Sequence, residues 1–122
     1  MTIHPIILAL GSNVPDAANK LEQALTLCKE SVSVIKVTPV IETSPVGIIS
    51  PNFLNMMVSA TTTLSLSQLS LNLKAVEKVL GREKSSDKRV VEIDIDIMKY
   101  DDTLLHVSDW KRDYITILIS QL

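Results

Sequence analysis

The run Val90-Val91-Glu92-Ile93-Asp94-Ile95-Asp96-Ile97 constrains this chain more than any other stretch. It alternates acid and isoleucine with a period of two, the spacing of an extended strand whose successive side chains point to opposite faces. Such a strand puts Ile93, Ile95 and Ile97 on one face and Glu92, Asp94 and Asp96 on the other. Two carboxylates two positions apart lie roughly 6.6 Å apart along the strand axis. At an effective dielectric of about 20, their mutual repulsion is on the order of 2.5 kcal/mol. A hard divalent cation held by oxygen ligands would remove that repulsion. A solvent-facing strand that carries charge against edge-to-edge aggregation has the same pattern, so the rest of the chain must decide.

A chain of 122 residues with 46% hydrophobic content is long enough to bury a core, and one domain over residues 1–122 is predicted. A net charge of −2 supplies no global basic field, which argues against nucleic acid as a partner. An anionic ligand must then be held by a local cluster. Cys28 is the single cysteine, so no intramolecular disulfide forms, and it falls on the apolar stripe of a predicted helix. The apolar run Ile6 to Leu10 follows no basic segment and is too short for a signal sequence or a membrane span. The expected location is therefore the cytoplasm, with no membrane partner.

Ile6 to Leu10, stopped by Gly11-Ser12-Asn13, reads as a buried strand leaving through a tight turn. Between Asp16 and about Glu30, Leu21, Ala24, Leu25 and Cys28 form one helical face. Val32 to Ile41 is β-branched and reads as a strand, with Pro39 at an edge or bulge. Glu42 to Pro51 reads as a loop, and Phe53 to Thr63 as a strand that carries Phe53 and Asn55 on the same face. Ser65 and Gln68 have capping-box spacing ahead of a helix with Leu69, Leu73, Val76 and Leu80 on one side, ending at Gly81. After a charged loop from Arg82 to Arg89 comes the acidic strand, Val90 to Tyr100. The order β-α-β-β-α-β predicts a ferredoxin-like α+β sandwich, an antiparallel sheet covered by two helices. Ile115 to Ile119 fits either a strand or a short helix.

Five blocks recur in order along the chain: Leu8-Ala9-Leu10-Gly11-Ser12-Asn13, Glu42-Thr43-Ser44-Pro45-Val46-Gly47, Asn52-Phe53-Leu54-Asn55, Val76-Glu77-Lys78-Val79-Leu80-Gly81-Arg82 and Ile93-Asp94-Ile95-Asp96-Ile97. Together they resemble the 6-hydroxymethyl-7,8-dihydropterin pyrophosphokinase family of folate biosynthesis. The resemblance covers roughly Ile6 to Tyr100 and extends weakly to Leu118. It implies transfer of pyrophosphate from ATP to the hydroxymethyl oxygen of a reduced pterin, release of AMP, and two Mg2+ ions. A monomer or weak homodimer is expected.

Carried over residue by residue, the resemblance makes Asp94 and Asp96 the magnesium ligands. It assigns Thr43, Pro45, Val46, Phe53 and Asn55 to the pterin, with Tyr114 as a second aromatic face. Lys74, Glu77 and Arg82 fall near the nucleotide, with Lys84, Lys88 and Arg89 as helpers, and Arg112 is aimed at phosphate. The residue types suit that chemistry, because a flat heterocycle with a donor/acceptor edge needs π faces and an amide, and arginine binds phosphate oxygens in pairs. Departures from the family pattern concentrate between Arg82 and Asp94. The family's loop tryptophan and Pro-Arg pair are absent there, with Val91 at the arginine position and Arg89 two residues earlier. The family's Pro-His segment is also missing, Val107-Ser108-Asp109 standing nearby, and His106 is out of register. Two functional readings follow: an active pyrophosphokinase, or a catalytically impaired member that binds pterin or nucleotide without turnover. A third reading, an interaction domain with solvent-facing acids, ignores the five blocks.

Overall fold

The computed structural model describes residues 2–45, 49–82 and 89–122. Val46, Lys84 and Lys88 lie outside the described residues. Six strands and three α-helices are described, with a 3-10 helix at Val107–Lys111: β1 (His4–Ser12), α1 (Ala17–Cys28), β2 (Ser33–Val37), β3 (Ile41–Thr43), β4 (Phe53–Thr62), α2 (Leu66–Val79), β5 (Asp94–Tyr100), β6 (Thr103–Leu104) and α3 (Asp113–Ile119). The sheet runs β2-β4-β1-β5-β6, with β3 also on β4, and every pairing is antiparallel. Its four long strands and two long helices make the ferredoxin-like sandwich that the hydrophobic periods predict.

The two faces of the sheet separate as strand alternation requires. Leu8 and Leu10 of β1, Met56, Val58 and Ala60 of β4, and Ile95 and Ile97 of β5 pack with Leu21, Ala24 and Cys28 of α1 and Leu69 and Leu73 of α2. Burial pushes the Cys28 thiol up to about 12, as expected of a cysteine that only packs. On the opposite face, Met57 and Met98 meet Ile115 and Leu118 of α3, with Ile7, Ala9, Trp110 and Tyr114 around them. The Ile115–Ile119 run is therefore a helix, and the sheet carries a third helix on the face that the sequence left open.

Three boundaries differ from the sequence reading. The β-branched run Val32 to Ile41 is two strands, because Pro39 has no N–H to give the ladder. Thr38 bridges the gap: its backbone N–H reaches the Met57 carbonyl at 2.9 Å, and its hydroxyl accepts from the Met57 N–H at 2.9 Å. Glu42 and Thr43 belong to β3, opposite Leu54 and Phe53, rather than to a loop. The acidic strand begins at Asp94, not Val90, so Glu92 does not share the face of the two aspartates. Glu92 instead meets Lys20 of α1 at 3.5 Å. For the same reason Arg89 and Val91 are not strand residues with a common face.

Helix ends follow local chemistry. Ser65 caps α2 by accepting from the Gln68 N–H at 3.2 Å. Gly81 ends it at φ +100°, a backbone conformation that favours glycine. Lys20 donates to the Leu80 carbonyl at 2.6 Å, tying α1 to the end of α2.

Candidate active site

The C-terminal end of β1 lies between the start of β4 and the start of β5. Gly11 is opposite Asn55 on one side and Asp94 on the other. This register brings residues more than thirty positions apart in sequence to one place, a cavity of about 240 Å³. Its lining includes Thr43, Pro45, Phe53, Asn55, Asp94, Asp96, Arg112 and Tyr114. The α3 face supplies Tyr114, Ile115 and Leu118, and Gly11, Met57 and Asp109 complete much of the wall.

The half of the cavity against β3 and β4 is fixed by direct contacts. The Asn55 amide donates to the Thr43 hydroxyl at 2.7 Å. A methyl group on Gly11 would stand 2.9 Å from the Asn55 amide oxygen, so the bare backbone of Gly11 makes room for that amide. Asn55 is buried, whereas Phe53 is half-buried at the rim of its strand. Burial also raises the Tyr114 phenol above its ordinary value, with the Asp109 charge adding to it and Arg112 opposing it.

The half against β5 is governed by charge. Burial raises the Asp96 carboxyl to about 7, reinforced by the Asp94 charge and by a hydrogen bond with Asp94. Glu77 and Asp109 add smaller contributions. Arg82 donates to Asp94 at 2.5 Å, to Glu77 at 3.0 Å and to the Ile93 carbonyl at 3.2 Å. Glu77 also accepts from the Ile95 N–H at 2.8 Å. Its carboxyl sits above the usual range because burial outweighs the Ile95 and Arg82 contacts. For Arg82, burial works to lower the guanidinium pKa, but the hydrogen bond to Asp94 and the surrounding carboxylates raise it. The Glu77–Arg82 pair thus satisfies backbone groups at the outer edge of β5, as a neighbouring strand would.

Across the cavity, Arg112 donates through Nε to Asp109 at 3.0 Å. His106, at φ +51°, sets its Nε2 3.9 Å from an Asp96 oxygen. Lys74 is exposed on α2 one turn before Glu77 and does not line the cavity. Arg89 is exposed, and its carbonyl accepts from the Asn13 amide at 2.6 Å. Asp109, Gly11 and Asn13 were not among the sequence-predicted site residues. The Asp-x-x-Arg spacing from Asp109 to Arg112 was the one local signal for the first of them.

Among the described residues no group of three or more His, Cys, Asp or Glu side chains forms a metal cage. Two adjacent carboxylates, one of them raised by burial and by its neighbour's charge, still fit magnesium. That ion commonly takes one or two protein carboxylates and fills its octahedron with phosphate oxygens and water. Among the described residues no helix is long and apolar enough to cross a membrane.

The family model for 7,8-dihydro-6-hydroxymethylpterin-pyrophosphokinase matches residues 7–122. The chain is 36% identical over 101 residues to the 2-amino-4-hydroxy-6-hydroxymethyldihydropteridine pyrophosphokinase of Aquifex aeolicus, which covers 82% of this chain and 63% of that protein. It is 35% identical over 96 residues to the Bacillus subtilis protein of the same name, covering 76% of this chain and 58% of the relative. A folate synthesis bifunctional protein of Arabidopsis thaliana is 33% identical over 125 residues, covering 93% of this chain and 26% of the relative. The chain therefore spans less than two thirds of the length of each of these relatives.

Proposed function

The chain belongs to the 7,8-dihydro-6-hydroxymethylpterin-pyrophosphokinase family, and we propose that it is itself a magnesium-dependent pyrophosphokinase of folate synthesis, acting as one domain. The observation that carries this reading is the single cavity shared by Phe53, Asn55 and Tyr114 with Asp94, Asp96 and Arg112. A flat heterocycle and a polyphosphate need opposite surroundings, and this cavity offers both within one wall-to-wall span.

In the proposed reaction the pterin lies against Phe53 and Tyr114, and the Asn55 amide, held by Thr43, reads its donor/acceptor edge. Pro45 and Val46 border the ring. The hydroxymethyl oxygen attacks the β-phosphorus of ATP, its proton is lost, and the bond from that phosphorus to the α-phosphate oxygen breaks, releasing AMP. Catalysis of this class rests on positioning and charge neutralisation. Asp94 and Asp96 would hold magnesium, two ions being expected from the family resemblance, and the metal would supply Lewis-acid polarisation and charge neutralisation on the phosphates. Arg82, which donates to Asp94 and Glu77 in the ligand-free chain, would neutralise phosphate oxygens from the β5 side. Arg112 neutralises phosphate from the α3 side. Lys74 and Arg89 would serve the nucleotide from the periphery, Lys84 keeps the nucleotide role that the resemblance implies, and Glu77 acts only through Arg82. The expected partners are small molecules alone, in a cytoplasmic monomer or weak homodimer.

The test is a coupled assay for AMP with purified protein. AMP should appear only when reduced pterin, ATP and magnesium are all present. Absence of AMP at high enzyme concentration overturns the reading.

Val91, standing where the family has arginine, favours a second reading in which the chain binds its ligands without turnover. Calorimetry separates the two, since tight pterin binding with no AMP formed supports the second alone.

A further inference from the structure

The Gly11-Ser12-Asn13 motif takes no part in the chemistry proposed above, yet its last residue is among the best-connected side chains in the molecule. Asn13 is 4% exposed and stands one position beyond β1. Its backbone N–H donates to the Val91 carbonyl at 3.1 Å. Its amide oxygen accepts from the Val91 N–H at 2.7 Å, and its amide nitrogen donates to the Arg89 carbonyl at 2.6 Å. Beside it, the Ser12 hydroxyl, fully buried, donates to the Glu92 carbonyl at 2.6 Å.

These bonds continue the β1 ladder past the point where β5 has ended. The Arg89–Glu92 segment is not a strand, so its backbone groups have no ladder of their own, and the side chains of Ser12 and Asn13 stand in for one. Only a primary amide of this length does what Asn13 does. Aspartate accepts but cannot donate, serine is too short to span both groups, and all the partners are main-chain atoms whatever side chains follow. The clamp joins the end of the central strand to the stem from which Asp94 emerges two residues after Glu92. Its side-chain hydrogen bonds all go to the Arg89–Glu92 backbone and none to Thr43, Phe53 or Asn55, although the Ser12 backbone itself lies opposite Leu54 in the β4 ladder.

We propose that Asn13 is a positioning residue for phosphoryl transfer, clamping the Arg89–Val91 stem so that Asp94 meets the nucleotide in register. The proposal rests on the pyrophosphokinase reading, and it assigns Asn13 to the nucleotide half of the site alone. Loss of the clamp should therefore separate the two substrates. In Asn13→Ala, kcat should fall and the KM for ATP should rise, each by about tenfold or more, since misplacement of about 1 Å costs on that order. The pterin dissociation constant should stay within about twofold of wild type, because the groups expected to bind pterin keep their own hydrogen bonds.

Three measurements decide it: steady-state kinetics, pterin affinity by calorimetry, and amide hydrogen exchange at Val91. Wild-type protein should protect the Val91 N–H. Asn13→Ala should lose that protection, and Asn13→Asp should keep it while losing the bond to Arg89. A purely structural role would lower the amount of folded enzyme and leave both affinities alone. Wild-type kcat in Asn13→Ala, or equal losses in pterin and ATP affinity, overturns the proposal. If Asn13→Ala does not fold, Asn13→Asp carries the kinetic comparison by itself. If wild-type protein makes no AMP, the pyrophosphokinase reading fails. The clamp is then still judged by Val91 exchange and by the affinity of a magnesium–ATP analogue, which must weaken in the variant for the proposal to stand.

Discussion

The two halves of the cavity are built on opposite principles. Against β3 and β4, neutral groups are locked by one another: Asn55 to Thr43, with Gly11 yielding space to the amide. Against β5, charged groups are held in a temporary arrangement, with Arg82 on Asp94, Arg112 on Asp109, and Asp96 pushed toward its protonated form. On the proposed reading, the first half is already set to receive a rigid heterocycle. The second half neutralises itself, and on the proposed reading phosphate and metal would take over its ion-pair partners. Preorganisation and exchangeable charge suit a flat neutral ring and a polyanion respectively.

The contrast breaks most visibly at Asp96. Asp96→Ala should reduce turnover by about 10³-fold through loss of metal binding, measured by AMP formation. Its melting temperature should hold or rise, because a repelled carboxylate has been removed. Wild-type turnover in this variant would remove Asp96 from the charged half. Phe53→Ala attacks the other half, and the pterin dissociation constant should rise by about 10- to 30-fold, the worth of a lost aromatic face, with kcat at saturation little changed. An unaltered constant, read by calorimetry, would take Phe53 out of the pocket.

Gly11→Ala sharpens the comparison because Gly11 touches both neighbours of β1 yet crowds only one. The new methyl group would displace the Asn55 amide from Thr43. Pterin affinity should fall by about tenfold, since the amide is buried and has little room to turn, while the affinity for a magnesium–ATP analogue stays constant. The smallest effect is a pH dependence confined to the charged half. The Asp96 carboxyl is raised from 3.8 to about 7 in the fold, so the folded chain keeps a proton that the unfolded chain releases. That stabilisation is fully present below about pH 4 and is lost as pH rises through about 7. Metal-free protein should lose on the order of a few degrees of melting temperature between about pH 5 and pH 8, and Asp96→Asn should flatten the trend. Magnesium–nucleotide affinity should run the other way and level off above about pH 7, once no proton has to be displaced.

The long elements were legible because each repeats its period several times. Ile95 and Ile97 against Asp94 and Asp96 showed the faces of β5, and Phe53 with Asn55 showed the β4 wall of the cavity. The same reasoning failed at Glu92, where alternation continues in sequence after the ladder has stopped in space. β3 and β6 are too short to carry a period, and the apolar Ile115–Ile119 run satisfies both templates. What chose the helix was the uncovered face of the sheet at Met57 and Met98, a tertiary fact. Asp109 and Asn13 were missed for a related reason. Their importance lies in partners across the fold, the cavity in one case and main-chain atoms 76 and 78 positions away in the other.

The Glu77–Arg82 pair also covers part of an open sheet edge. An outer strand that offers free amides and carbonyls is a template for intermolecular β-pairing. Here the ion pair answers the Ile93 carbonyl and the Ile95 amide at the margin of the sheet that bears the acids. Disabling the pair would leave those two main-chain groups unanswered beside the cavity, so resistance to clumping and the aim of the Arg82 guanidinium at Asp94 are entrusted to the same two side chains.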